Sequence, residues 1–177
     1  MLDFDSELLF VGDAGTTEAS RPSRRVGVEW TNNYRPVPWI AFDLDVAYTQ
    51  ARFTNFDPAG DRIPGAPAWI ASGAVTFGRE TGWFGALKGR YFGPRPLIED
   101  DSVRSQSSLI FNARAGYRFE NGLRLQLDVL NLFNARTNQI EYYYVSRLPG
   151  EPIDGVADRH FHPAEPLAVR VTLAGKF

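Results

Sequence analysis

The sequence predicts an all-β fold, an antiparallel sheet of about eight meander strands that forms a portion of a transmembrane β-barrel and, in isolation, an open curved sheet. Three observations carry that expectation. Residues alternate between apolar and polar over long stretches, connections alternate between short and long, and aromatic side chains gather toward strand ends.

Strands are expected near residues 6–12, 24–35, 39–52, 67–78, 82–92, 106–119, 122–134 and 167–177. In the third, Ile40, Phe42, Leu44, Val46 and Tyr48 share one parity against Ala41, Asp43, Asp45, Ala47 and Thr49. The seventh sets Leu123, Leu125, Leu127 and Val129 against Arg124, Gln126 and Asp128. The last sets Leu167, Val169, Val171, Leu173, Gly175 and Phe177 against Ala168, Arg170, Thr172, Ala174 and Lys176. A period of two gives each strand one apolar and one polar face. Most of these segments exceed the roughly five or six residues usual in globular proteins and match the ~9–11 that a tilted strand needs to cross a bilayer.

The connections at Pro36-Val37-Pro38, Arg79-Glu80-Thr81 and Glu120-Asn121 are tight, whereas those at 13–23, 53–66, 93–105 and 135–166 are long. Short turns at one end and long loops at the other describe an outer-membrane barrel, with the short turns periplasmic. The final strand follows a long loop, so the C-terminus is expected on the periplasmic side and the long loops outside the cell. Trp30, Tyr34, Trp39, Trp83, Tyr117 and Phe119 cluster beside the short turns, and Tyr48, Phe53, Tyr91, Phe92 and Phe133 toward the long loops. Two interfacial girdles would look like this, although aromatics also fill ordinary strands.

Alternation alone suits a soluble ligand-binding barrel as well, with its apolar face inward. The loop asymmetry and the terminal Phe177 favour lipid outside and water inside. The polar faces, with Glu29, Asp43, Asp45, Lys88, Arg90, Arg114, Arg118, Arg124, Asp128 and Arg170, would then line a wet lumen.

Composition narrows the function. A formal charge of -2 and a pI near 5.7 give no basic footprint for nucleic acid. There is no cysteine, hence neither a disulfide framework nor a thiolate metal site. No run approaches the ~20 apolar residues of a spanning helix, so a membrane protein here must cross with strands. Met1-Leu2-Asp3-Phe4-Asp5 lacks the basic and apolar regions of an export signal, which suggests a mature fragment or a truncated reading frame.

The segment Asp128-Val129-Leu130-Asn131-Leu132-Phe133-Asn134 resembles the Asn-Leu-Phe-Asp motif of TonB-dependent receptors. The closing strand ending in Phe177 resembles the sorting signal read by the barrel-assembly machinery. Ile63-Pro64-Gly65-Ala66-Pro67, Arg90-Tyr91-Phe92-Gly93-Pro94-Arg95-Pro96 and His160-Phe161-His162-Pro163 also resemble segments of that family. The resemblance covers essentially the whole chain. It implies that 1–177 is the C-terminal part of a 22-stranded receptor barrel in the Gram-negative outer membrane, lacking the plug and the N-terminal strands. It further implies uptake of a scarce nutrient of the siderophore, cobalamin or glycan class, with TonB engaged only through the absent N-terminal region. Asn134 stands where Asp is more usual, a change that keeps a hydrogen-bond acceptor. A self-contained eight-stranded outer-membrane barrel with a structural or adhesive role is the alternative.

No catalytic residue and no cofactor are predicted: no spacing or elbow resembles a triad. His160 and His162, two apart near Asp158 and Glu165, would point the same way on a strand, but lack a third firm metal ligand, so no metal is predicted. Glu99-Asp100-Asp101 has clustered carboxylates without a cation-loop pattern and reads as a solvated loop tip. Tyr142, Tyr143 and Tyr144, followed by Arg147, either face a polar-aromatic ligand of unknown identity or continue a strand above the membrane. With His160 and His162 they are the ligand-facing loop candidates.

Overall fold

The computed structural model describes residues 1–11 and 15–175. Phe177, the expected sorting residue, lies outside them. Eight strands form one antiparallel sheet: β1 (Leu2–Phe4), β4 (Ser23–Val37), β5 (Ile40–Phe53), β6 (Trp69–Gly78), β7 (Gly82–Phe92), β8 (Ser108–Arg118), β9 (Arg124–Leu130) and β12 (Ala168–Ala174), in that spatial order. Two hairpins stand apart from it, β2 (Leu8–Val11) with β3 (Thr16–Ala19), and β10 (Asn138–Ser146) with β11 (Val156–Pro163).

The register obeys the predicted parity, because directly paired residues share a face. Leu87 pairs with Ala113, Ala113 with Val129, and Val129 with Val169 on the apolar face. On the other face Ala86 pairs with Arg114, Arg114 with Asp128, and Asp128 with Arg170. Tight turns close the ends at Pro38-Trp39, Arg79–Thr81 and Phe119–Leu123. Gly122 takes φ +83 in the last of these, a left-handed conformation that L side chains rarely adopt.

Among the described residues β1 pairs only with β4 and β12 only with β9, so the sheet is open, as expected. The ladder between first and last strands that a closed eight-stranded barrel needs is not formed among them.

Two expectations require correction. The first sheet strand is Leu2–Phe4, not residues 6–12. Leu8–Val11 turns away to pair with Thr16–Ala19, because Glu7 and Ser20 close that hairpin: Ser20 N donates to Glu7 O at 2.8 Å, and Glu7 N to Ser20 Oγ at 3.1 Å. The long links at 13–23 and 135–166 hold β3 and the β10–β11 hairpin, so Tyr142, Tyr143 and Tyr144 continue a strand, one of the two readings open for them. Finally, Phe53 and Phe92 do not belong to an outer girdle. They lie on the polar-face parity, and Phe53 is buried at 6% exposure beneath the Arg21 guanidinium, 4.2 Å from its ring centre. Trp69, packed on Tyr48 at 4.6 Å, takes the outward place at that end.

Burial is inverted relative to a water-soluble sheet. The buried apolar side chains among the described residues are Phe53, Ile63, Phe84 and Leu97, three of them at the long-loop end, while Gln126, Asp128, Asn131 and Glu141 are buried polar. Large hydrophobics such as Val28, Trp83, Val171 and Leu173 stand bare on the apolar face.

Candidate functional site

The polar face carries both charges on β4 and β5 and is mainly basic beyond β6. β4 and β5 bring Glu29, Asp43 and Asp45 together with Arg25 and Arg35; β7, β8, β9 and β12 bring Lys88, Arg90, Arg114, Arg118, Arg124 and Arg170 against the single Asp128. Asp128 is fully engaged, taking Arg114 Nε at 2.6 Å and Gln126 Nε2 at 2.6 Å. Asn33 donates to Asp43, and Ser72 Oγ to Asp45 at 3.2 Å. Phe84 lies across Gly116, where an added Cβ would meet the ring at 2.4 Å, and the Arg118 guanidinium covers that ring at 4.1 Å. A hollow of about 350 Å³ opens at the short-turn end of this face.

At the long-loop end the links 54–68 and 93–107 pack on each other around Phe53, Ile63 and Leu97. Arg21 ties them together: it donates to Gly60 O at 2.9 Å and pairs with Glu99, beside Asp57 at 3.7 Å. The acidic tip predicted at Glu99-Asp100-Asp101 is thus bonded rather than merely solvated, with Asp101 held by Arg104 at 2.6 Å. The Ser102 amide donates to Asp100 at 2.9 Å and holds its carboxyl below the ordinary carboxylate value of 3.8.

Beyond β9 the Asn131-Leu132-Phe133-Asn134 segment forms a knot. Asn131 and Asn134 take left-handed φ of 48° and 49°, which Asn tolerates better than most residues. Asn131 Nδ2 donates to Ala135 O at 3.1 Å and Glu165 O at 2.9 Å, while its Oδ1 accepts from Ala135 N at 2.8 Å. Leu167 N donates to Asn134 Oδ1 at 3.1 Å. An acceptor is all that bond requires, which explains why Asn serves at this position. The knot clamps both feet of the β10–β11 excursion, so the chain can leave the sheet for more than thirty residues and return in register beside β9.

The ligand-facing candidates lie on that hairpin. Tyr142 pairs with His160, Ile140 with His162 and Tyr144 with Asp158, so Tyr142, Tyr144, His160 and His162 share one face. Tyr143 falls on the opposite face with Arg159, and Arg147 sits at the tip, where its Nε donates to Glu151 O at 3.3 Å. Tyr144 stacks on His160 with ring centres 3.8 Å apart, and His160 Nε2 is buried without a hydrogen-bond partner. Phe10 of β2 reaches Tyr142 at 5.1 Å. Glu141, on the back, accepts from Gln106 N at 3.1 Å and anchors the hairpin to the 93–107 link. Among the described residues no three His, Cys, Asp or Glu side chains gather to hold a metal. Arg21, Trp69 and Glu141 were not singled out by sequence reading; their partners lie up to 78 residues away.

Residues 2–132 match a family model described as TonB dependent receptor-like, beta-barrel. No curated protein matches the chain. The fold is similar to that of the siderophore receptor PiuA from Acinetobacter baumannii (15% identity, 97% of this chain and 24% of that one, TM-score 0.70). It is similar to the ferric-catecholate import receptor Fiu from E. coli K12 (21%, 97% and 23%, TM-score 0.68). The ferric yersiniabactin uptake receptor FyuA from Yersinia pestis is a third (20%, 92% and 25%, TM-score 0.67). At such identities the likeness is one of fold, and the chain spans about a quarter of these receptors.

Proposed function

The chain belongs to the TonB-dependent receptor β-barrel family, whose members are outer-membrane receptors of Gram-negative bacteria, and from that membership we propose that residues 1–177 are the C-terminal barrel wall of a nutrient-uptake receptor. The observation that carries the reading is the two-faced open sheet. A bare apolar face needs lipid, a charged face needs a wet lumen, and an edge strand at each end needs further strands. The polypeptide acts by binding and passage rather than by chemistry.

In this reading the long-loop end is extracellular and the C-terminus periplasmic, where the barrel-assembly machinery would read the end at Phe177. TonB is engaged through a region outside this chain. The cargo is an iron chelate, by analogy with what PiuA, Fiu and FyuA are named for. Tyr142, Tyr144, His160 and His162 present one face of stacked rings to it, with Tyr143 on the opposite face and Arg147 at the tip.

Two experiments test this. The complete receptor carrying this chain, expressed in iron-starved cells stripped of their own receptors, should restore growth on a ferric siderophore only when TonB is present. Growth without TonB, or on no chelate of a broad panel, would refute the reading. A tag at Asn121 should stay hidden from antibody on intact cells, while protease cuts within 135–166; surface labelling at Asn121 would reverse the orientation.

A further inference from the structure

At the long-loop end, the apolar parity of the sheet ends in a row of arginines above its aromatic boundary. Tyr48 pairs with Val28 on one side and Trp69 on the other, and the Tyr48 and Trp69 rings pack at 4.6 Å. Further along β5 on the same face, Gln50 donates from Nε2 to the Tyr48 hydroxyl at 2.7 Å. Beyond it Arg52 lies between Arg24 and Arg62 in the pairing, and Asp3 of β1 extends the row past Arg24. Like charges directly opposite one another are destabilising, so adjacent guanidiniums call for anions. Asp3 takes Nε of Arg24 at 2.6 Å, and Asp61 takes Nη1 of Arg52 at 2.8 Å. Arg62 lies 3.8 Å from Asp61 and 3.7 Å from Asp101, which Arg104 already holds at 2.6 Å. A guanidinium has more N–H donors than these bonds use, and Arg24 and Arg52 are half-exposed. By contrast Arg25, the inward neighbour of Arg24, is answered by Glu7.

We propose that Arg24, Arg52 and Arg62 bind the phosphate groups of an anionic lipid in the outer leaflet. From Tyr48 to Arg52 is about 13 Å along the strand, which at the usual barrel tilt is about 10 Å of height. Interfacial rings sit at headgroup level. The guanidiniums therefore stand just outside the apolar layer, from where long side chains can bend back onto a headgroup. A guanidinium meets phosphate with two parallel hydrogen bonds, which suits arginine better than lysine. Below the row β4 continues as Val26, Val28 and Trp30, an exposed apolar column against which acyl chains can lie. A free phosphate would take the same donors but leave that column bare, so the lipid is the occupant that answers both. This rests on the barrel-wall reading above, because only that reading turns this face to lipid.

The test titrates the complete, folded receptor in neutral detergent micelles with a fluorescent phosphorylated lipid A, and with the same lipid after its phosphates have been removed. The phosphorylated form should bind more tightly. Arg52→Glu should raise the mole fraction for half-saturation about tenfold, equivalent to roughly 1.4 kcal/mol, and Arg24→Glu with Arg52→Glu should raise it further. Barrel folding is checked in each variant by its heat-modifiable migration, and Arg52→Gln serves as a milder change with a smaller loss in the same direction. Arg159→Glu, an equal charge change on β11, should leave binding as it was. Equal binding of the two lipids would mean that the apolar column alone holds them and would overturn the proposal. So would unchanged binding in Arg52→Glu, or an equal loss in Arg159→Glu, which would reduce the effect to overall charge. Displacement of the lipid by millimolar inorganic phosphate, but not by chloride of equal ionic strength, would assign the row to a free anion and overturn it too. If the receptor does not insert into phosphatidylcholine vesicles at all, the barrel-wall reading itself fails.

Discussion

Leu127 and Gln126 are neighbours on β9, yet the leucine is 42% exposed and the glutamine 7%. The same contrast separates Val171 and Leu173, each 67% exposed, from the ordered ion pair of Arg114 and Asp128 behind them. In water such a continuous apolar face would be an aggregation surface. In a bilayer it is the matched one, and the polar face needs the wet interior. The difference teaches that parity alone does not assign a solvent. The ties each face makes help to: the polar face is cross-linked by hydrogen bonds, whereas among the described residues apolar side chains such as Val171 and Leu173 stand exposed.

The largest expected effect breaks the apolar face. Leu127→Arg or Val171→Arg in the complete barrel should cost roughly 2–4 kcal/mol near the bilayer middle, read from reversible unfolding in lipid vesicles. Gln126→Arg should cost far less, because a lumenal guanidinium stays hydrated and lies near Asp128. Equal losses at 126 and 127 would mean that the two faces do not meet different solvents.

Next comes the knot that fixes where the two faces end. Asn131→Ala removes three hydrogen bonds at a site only 3% exposed and should cost about 1–3 kcal/mol. The sign of its failure is faster proteolysis within 135–166. Asn134→Asp should be close to neutral, because the acceptor for Leu167 N remains. If Asn131→Ala leaves cleavage unchanged, the clamp does not hold the hairpin.

The smallest effect lies at the rim, where water reaches both faces. Asp100 has a depressed carboxyl pKa, so its turn gains stability above the ordinary value of 3.8 and loses it as pH falls through the lower, folded value. The Ser102 amide proton should titrate in that acid range by nuclear magnetic resonance, and Asp100→Asn should abolish the transition. Titration at or above the ordinary value would show that the turn does not favour the charged form.

Sequence reading located β4 to β9 and β12 because a strand with two solvents writes a period of two. It put Leu8–Val11 in the main sheet and left Tyr142-Tyr143-Tyr144 between a ligand-facing loop and a strand above the membrane, because the first run is apolar throughout, the second aromatic throughout, and neither carries a parity. β1 is only three residues, too short to alternate visibly. The motif at Asn131 was legible as a pattern, but its physical basis, two left-handed asparagines closing a long excursion, needed coordinates. Arg21 was invisible because its partners Asp57 and Glu99 become neighbours only once two loops pack.

The central claim, that residues of one parity meet lipid and those of the other a wet lumen, is tested most directly by single spin labels from residue 125 to 129 and from 169 to 173 in the complete receptor, reconstituted in vesicles. Labels at 125, 127, 129, 169, 171 and 173 should collide more with oxygen, which concentrates in lipid, and those at 126, 128, 170 and 172 more with a water-soluble nickel chelate. An accessibility that loses its period of two, or one with oxygen collisions at the even positions, would contradict it.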